Sequence, residues 1–206
     1  MTRNKVLKQL ALLLEEDNVI FYIGKYICRE CVFKTEGTLF IEDEYMDGIS
    51  LALGVAMGTE KKVIVVLEDK YLLQYLNSMT QVAISKCTNL FFLCLKTDRY
   101  CPTIQQNTVT NSLRAFSGIL FNMGMLAHNY SKYFETITDI KKLKNIYLST
   151  IGPVIGIVSI SNNRIFGKQQ IHDFDITSFI KFVNRKQETK EENKDILDLD
   201  KVLEEG

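Results

Sequence analysis

A charged triplet, Glu68-Asp69-Lys70, directly follows an apolar run at residues 63–67 that predicts a buried parallel strand. In α/β proteins, the turn from such a strand into the next helix often carries glycines that let a phosphate approach the backbone. Here the triplet contains no glycine, and an acid stands at its centre. A carboxylate is a ligand that Mg²⁺ prefers, and an ammonium group pairs with phosphate. Three interpretations stay open from these residues: a damaged cofactor turn, a repurposed one, or a polar turn without a ligand.

The cysteines and histidines do not predict a second site. Cys28 and Cys31 form a lone C-x-x-C pair, whereas a structural zinc ion needs four ligands and no second pair has suitable spacing. The other three cysteines lie on or near an apolar strand, where we expect them to fill core space. The two histidines, His128 and His172, have no serine or cysteine in a recognisable nucleophile motif. Redox, zinc and hydrolase chemistry are therefore not predicted.

Strand-like and helix-like segments alternate along the chain. The residues that start the chain predict an amphipathic helix that ends near Asn18, because Val6, Leu10, Leu13 and Leu14 recur at helical spacing. Strands are predicted at 19–24, 38–43, 63–67, 89–95 and 154–159. Helices are predicted at 46–58, 71–85, 110–125, 133–149 and 175–186, the last with Asp175 as its N-cap. This alternation predicts an α/β fold: a doubly wound, mainly parallel six-stranded sheet with helices on both faces.

The composition limits the partners and the location. The 206 residues contain 25 Lys and Arg against 25 Asp and Glu, so no global charge attracts nucleic acid or an anionic membrane. Residues 186–206 carry eight acids and four lysines, a net charge of −4. We expect one domain over 1–185 and an acidic, disordered tail over 186–206. No secretory signal or membrane span is predicted, and five cysteines without export indicate the reducing cytoplasm.

The segments that carry a family resemblance are "VIFYIGKYICREC", "DGISLALGVAMGTEKKVIVVLEDKYLLQYLNSMTQVA" and "NLFFLCLKTDRYCPTIQQ". Together they resemble the diphosphate-binding (PP) domain of thiamine-diphosphate-dependent enzymes, over roughly residues 1–165. Within that family the chain is most similar to the small subunit of sulfopyruvate decarboxylase and to the matching part of phosphonopyruvate decarboxylase. The resemblance includes Arg29-Glu30 after the first glycine turn and Gly152-Pro153 before the last strand.

The resemblance implies a magnesium site. In the family, a glycine-aspartate-glycine triplet follows the central strand, and an asparagine ends the next strand. The aspartate, the asparagine and a main-chain carbonyl hold the Mg²⁺ that neutralises the diphosphate. At the matching positions stand Glu68-Asp69-Lys70 and Thr97. The implied metal ligands are therefore Asp69, the hydroxyl of Thr97 and the carbonyl of Arg99.

The resemblance also implies cofactor contacts. A tyrosine, a threonine and a glutamine follow the asparagine in the family, and Tyr100, Thr103 and Gln106 match them in spacing. Gly24 in the first glycine turn and Lys70 in the triplet complete the predicted set for thiamine diphosphate. The glycines between these positions do not match, and a side chain in their place narrows the approach to the diphosphate.

In the family this domain acts together with a pyrimidine-binding domain. The resemblance thus implies a separate pyrimidine-binding subunit and a homo- or hetero-oligomer acting as a 2-oxoacid decarboxylase or carboligase. A competing hypothesis is a non-catalytic pseudo-subunit that stabilises or regulates a partner enzyme, which the altered triplet favours. A third is a module that binds another phosphate ligand, such as a nucleotide, at the same strand ends.

Overall fold

A computed structural model describes residues 2–43, 45–97, 153–160 and 176–185. Within these ranges lies one sheet of five strands, ordered β2-β1-β3-β4-β5, in which every neighbouring pair is parallel. The strands are β1 (Val19–Ile23), β2 (Thr38–Ile41), β3 (Val63–Glu68), β4 (Leu90–Thr97) and β5 (Val154–Ile160). β3 lies at the centre and consists of apolar, mostly β-branched residues up to Glu68, as expected for a strand buried on both faces.

Six helices lie in the same ranges and follow the strands in alternation. They are α1 (Arg3–Ala11), α2 (Lys25–Glu30), α3 (Gly48–Gly58), α4 (Asp69–Gln74), α5 (Leu76–Ser85) and α6 (Ile176–Asn184). No helix in the described part of the chain has the length and hydrophobicity to cross a membrane.

Helices cover both faces of the sheet. Side chains alternate along β3, so that Val65 and Leu67 point to one face and Ile64 and Val66 to the other. On the first face, α3, α4, α5 and α6 form one hydrophobic core with the strands. On the second face, α1 and α2 form another. The predicted doubly wound, parallel α/β fold is thus confirmed: the five strands placed by the sequence all lie in the described ranges, and the predicted number of six strands stays a prediction.

The amino-terminal edge of the sheet is fixed by two polar side chains, Asn89, which is half-buried, and Lys61, which is buried. Asn89 Nδ2 donates to the carbonyls of Ala56, Thr59 and Lys61, which joins the end of α3 to the starts of β3 and β4. Lys61 is only 4% exposed. Its Nζ donates to the carbonyl of Phe182 at 2.8 Å and lies 3.7 Å from the centre of that ring, which holds the end of α6.

Two predicted helix boundaries were wrong. The first helix ends at Ala11, not near Asn18, because Asn18 Oδ1 accepts the N–H of Glu15 and fixes a turn in which the chain leaves the helix. The single helix predicted over 71–85 consists of α4 and α5, separated at Tyr75 by a non-helical backbone (φ −110°, ψ 42°). The predicted helices at 110–125 and 133–149, the cap at Asp175 and the tail at 186–206 lie outside the described residues.

Candidate functional site

The carboxyl edge of the sheet brings together several of the predicted site residues. In register, Leu67 of β3 lies between Ile23 of β1 and Cys94 of β4. Gly24 directly follows β1, and Asp69 directly follows β3 as the first residue of α4. These two residues therefore lie at the same edge of adjacent strands, where parallel α/β sheets bind their ligands.

The end of β4 reaches the same edge. Thr97 is the last residue of β4, and its backbone is paired with that of Ile160 in β5. It lies two residues beyond Leu95, the residue of β4 that is paired with Glu68. The backbones of Asp69 and Thr97 therefore lie at the same edge of the sheet. The side chain of Thr97 and all of Arg99, Tyr100, Thr103 and Gln106 lie outside the described residues, so those predictions stay predictions.

Asp69 is fully buried at the start of α4. Its Oδ1 accepts the backbone N–H of Lys70 at 3.1 Å, so the carboxylate is held over the first turn of the helix. A buried carboxylate needs such partners, because desolvation of the charged form is costly. A ligand could reach this carboxylate only through a shift of the groups that cover it.

Glu68 lies on the other side of the sheet. It is 3% exposed, and its carboxylate faces α1 and α2, since consecutive strand residues point to opposite faces. Arg3 Nη2 forms an ion pair with Glu68 Oε1 at 3.2 Å, without hydrogen-bond geometry, and Arg3 Nη1 donates to Glu30 Oε1 at 3.0 Å. Burial raises the pKa of the Glu68 carboxyl above its usual value, while the charges of Arg3 and Lys70 offset part of that rise.

Lys70 follows Asp69 and is mostly buried. Its Nζ lies 4.0 Å from Glu68 Oε2 and 4.8 Å from the centre of the Tyr71 ring. The side chain is 18% exposed, so the ammonium group is close to the surface of this edge. Glu68 already balances part of the charge of Lys70, so the attraction between Lys70 and a bound phosphate would be weaker.

Gly24 has a structural reason to be glycine. Its φ of +116° is a backbone conformation that L side chains rarely adopt. A Cβ built at this position would stand 2.8 Å from Cε2 of Tyr71, which packs the first residues of α4 against the end of β1. This packing accounts for the glycine whether or not a diphosphate contacts it.

The donor set fits a hard cation in part. The described ranges contain no group of three or more His, Cys, Asp or Glu residues arranged to hold a metal. Glu68 faces Arg3 on the α1/α2 side of the sheet, so Asp69 is the one acid of the triplet that is not directed to that side. Mg²⁺ is commonly bound by one or two carboxylates together with phosphate oxygens and water. Asp69 with oxygens from Thr97, the Arg99 carbonyl and a diphosphate is chemically a suitable set.

The C-x-x-C pair belongs to the hydrophobic core on the α1/α2 face of the sheet. Cys28 Sγ donates to the carbonyl of Tyr22 at 3.2 Å, and both Cys28 and Cys31 are buried in the core between α1, α2 and the sheet. Burial raises the pKa of each thiol to about 12, so neither is a thiolate near neutral pH.

The sequence reasoning missed Arg3. An arginine at the buried positions of α1, in register with Val6, Leu7 and Leu10, is a signal that was present in the sequence. A buried cation requires a buried acid, and Glu68 is the charged residue that ends the most apolar strand. Arg3 and Glu68 form an ion pair in the fold, but they lie too far apart in the sequence for this contact to be predicted from it.

Comparison with solved structures shows what this arrangement is similar to. A putative thiamin diphosphate-dependent enzyme from Mycobacterium smegmatis aligns with a TM-score of 0.58 and 15% identity, covering 78% of this chain and 32% of that one. Benzoylformate decarboxylase from Polynucleobacter necessarius aligns with a TM-score of 0.56 and 14% identity, covering 78% of this chain and 33% of that one. The chain has the fold of one part of a thiamine-diphosphate-dependent enzyme.

At these identities the likeness concerns the fold, and the chain spans about a third of the length of either structure. No protein-family model matches the sequence. No curated protein matches it either. The thiamine-diphosphate fold predicted from the sequence is confirmed, and the finer assignment to a PP domain of the sulfopyruvate decarboxylase type stays a prediction.

Proposed function

We propose that this chain is the diphosphate-binding subunit of a two-chain, thiamine-diphosphate-dependent 2-oxoacid decarboxylase or carboligase. The observation that carries the proposal is the position of Asp69, at the carboxyl end of the central strand of a fold shared with thiamine-diphosphate-dependent enzymes. In parallel α/β sheets this edge is where ligands bind, and a carboxylate there is a ligand for the cation of a metal–diphosphate complex.

The chain's own residues would bind and orient the cofactor. Asp69 would hold Mg²⁺ together with Thr97 and the carbonyl of Arg99, while Lys70 lies within reach of the same edge. Tyr100, Thr103 and Gln106 complete the proposed cofactor contacts. When bound, thiamine diphosphate supplies stabilisation of the carbanion formed as carbon dioxide leaves a 2-oxoacid.

We also propose a separate chain that supplies the pyrimidine-binding part. The similar structures are about three times longer than the part that this chain matches. Exposed apolar side chains on the neighbouring helices α3 and α5 support a docking surface: Leu51, Met57 and Ile84 are 41%, 70% and 69% exposed. On α3 itself, Gly54 and Gly58 have open space where a side chain would stand, so another helix could pack closely. A cytoplasmic location remains part of this proposal.

A second candidate function is a non-catalytic subunit that keeps the fold and supports an active partner. It is favoured by the burial of Asp69, whose Oδ1 already accepts a backbone N–H, and by the replacement of both family glycines. A subunit of this kind would assemble with its partner and hold no cofactor.

The experiment that separates the two is a cofactor assay on the native complex. The tagged chain is purified from its own cells with any associated chain, denatured in acid, and assayed for released thiamine diphosphate by thiochrome fluorescence. The proposal predicts close to one cofactor for each copy of this chain, and a strong loss in the Asp69→Asn variant. A complex that assembles fully but releases no thiamine diphosphate would establish the non-catalytic subunit instead.

A further inference from the structure

A buried charge network lies beside the candidate site, on the α1/α2 side of the sheet. Arg3 contacts both Glu30 and Glu68, at 3.0 and 3.2 Å, and Lys70 lies 4.0 Å from the second oxygen of Glu68. Arg3 and Glu68 are 6% and 3% exposed. Two positive and two negative groups therefore balance one another; Arg3 and Glu68 are almost fully buried, whereas Glu30 and Lys70 are 14% and 18% exposed.

This network reduces the repulsion that the carboxylate of Glu68 would otherwise exert on a diphosphate at the altered triplet. A carboxylate next to Asp69, with no cation near it, would repel a diphosphate over a few ångströms. Here Glu68 faces away from the side of Leu67 and is paired with Arg3 and Lys70. Asp69 is then the acid of the triplet that corresponds to the single aspartate in a turn where glycines flank it.

Among the ion pairs of Glu68, the one with Arg3 is shorter, at 3.2 Å, than the one with Lys70, at 4.0 Å. Arg3 joins α1 to the strand end through Glu68 and to the end of α2 through Glu30, and its guanidinium lies 5.3 Å from the centre of the Tyr26 ring. Only a planar, forked cation can contact two carboxylates and an aromatic face in this way. Without it, Glu68 and Glu30 would be two buried acids with Lys70 as their remaining cation in the network.

We propose that Arg3 is a positioning residue for the diphosphate turn: it pairs with and compensates the carboxylate of Glu68, which β3 directs to the α1/α2 side of the sheet, and leaves Asp69 as the one acid of the triplet that a metal–diphosphate complex would bind. This inference rests on the proposed function. Arg3 itself touches neither the metal nor the diphosphate. It acts through Glu68, and its effect on binding disappears when Glu68 carries no charge.

The test compares the affinity of four variants for thiamine diphosphate, with Mn²⁺ as the metal, in the full-length chain with its associated chain. Arg3→Met removes the charge at similar length, and Arg3→Lys restores a cation without the fork. Arg3→Met/Glu68→Gln removes both charges of the pair. Lys61→Met is the matched control, because Lys61 is an equally buried cation at the opposite edge of the sheet. Calorimetry gives the cofactor affinity, and electron paramagnetic resonance gives the free Mn²⁺ independently of activity.

Arg3→Met is expected to weaken binding roughly tenfold, as one uncompensated charge near the ligand would do. Arg3→Lys should recover part of the loss, and Arg3→Met/Glu68→Gln should return to within about threefold of the original chain, because the two effects are coupled. Lys61→Met should lower the melting temperature and leave the affinity unchanged.

An Arg3→Met variant that is folded and binds as tightly as the original would overturn the inference alone. So would a double variant that binds as weakly as Arg3→Met, since Arg3 would then act by another route. Failure of the unaltered complex to bind thiamine diphosphate would instead overturn the proposed function, and this inference with it.

Discussion

Nη2 of Arg3 lies 3.2 Å from Oε1 of Glu68, so the first residue of α1 is tied to the last residue of the central strand. Both side chains are almost fully buried. A pair of this kind contributes little relative to an apolar pair, yet the removal of one partner leaves an uncompensated charge in the core.

The pair predicts strong coupling in the free energy of unfolding. Arg3→Met alone should destabilise the chain by about 3–5 kcal/mol, whereas Arg3→Met/Glu68→Gln should be markedly more stable than the sum of the single changes predicts. Urea unfolding of the two single variants and the double variant measures the coupling. Additive effects would show that the two charges do not interact in the folded chain.

Gly24 predicts a backbone-specific loss of stability. Gly24→Ala places a side chain at φ +116° and within 2.8 Å of the Tyr71 ring, so we expect a loss of about 1–3 kcal/mol from the backbone, with the ring contact in addition. Adding Tyr71→Leu should relieve the contact but not the backbone strain. Gly54→Ala is the control, since nothing lies within 4 Å of its added Cβ and alanine favours a helix. Equal unfolding midpoints for the two alanine variants would contradict this account.

Asp47 predicts a pH-dependent helix cap. Its Oδ1 accepts the N–H groups of Ile49 and Ser50, and its Oδ2 accepts the hydroxyls of Ser50 and Ser78, which joins α3 to α5. Asp47→Ala should cost about 1–2 kcal/mol near neutral pH, and Ser78→Ala less, because it removes only the link to α5.

The sign of the pH effect follows from the pKa of Asp47. Burial acts to raise this pKa, but hydrogen bonds from Ser78, Ser50 and the backbone of Ile49 outweigh it and hold the pKa below its usual value. The stabilisation is therefore present above the unfolded-state pKa and is lost as the pH falls through the folded-state value. Thermal unfolding from pH 7 to pH 2.5 should show the difference between the original chain and Asp47→Ala shrinking below about pH 4. A difference that is constant over this range would contradict it.

The exposed apolar surface on α3 and α5 predicts a site of assembly. Met57→Glu and Ile84→Glu should leave the chain folded but prevent its association, because a charge at the centre of an apolar interface cannot be solvated. Leu12→Glu is the matched control, since Leu12 is 78% exposed at the end of α1, on the other face of the sheet. Analytical ultracentrifugation of the three variants measures the outcome. Unchanged assembly in Met57→Glu and Ile84→Glu would show that the interface lies elsewhere on the chain.

The strands could be predicted because their signal is local. Continuous β-branched runs such as Val63–Leu67 have no other stable environment than a sheet covered on both faces, and short helical segments between them require parallel pairing. The end of α1 was harder to predict, because the apolar spacing continues past Leu12 and the turn that follows depends on hydrogen bonds between Glu15 and Asn18, in one of which Asn18 Oδ1 accepts the N–H of Glu15.

The sequence predicts where single residues of the site lie, but not which side chains surround them. The spacing around the central strand indicates Asp69, since its place is fixed by the chain itself. The environment of Glu68 could not be deduced in the same way, because Arg3 is 65 positions away and reaches it only after α1 has packed on the sheet. The charge of Glu68, which the sequence alone suggests would repel a diphosphate, is therefore compensated by Arg3 and Lys70 in the fold.

The most direct measurement of the central claim is a calorimetric titration of thiamine diphosphate, with Mg²⁺ present, into the native complex of this chain. The account predicts saturable binding that requires Mg²⁺ and weakens at least about 100-fold in Asp69→Asn, which keeps the side-chain volume but removes the negative charge that binds the cation. Asp17→Asn, at the opposite edge of the sheet, should bind as the original does. Binding that ignores Asp69→Asn, or a complex that binds no thiamine diphosphate at any Mg²⁺ concentration, would contradict it.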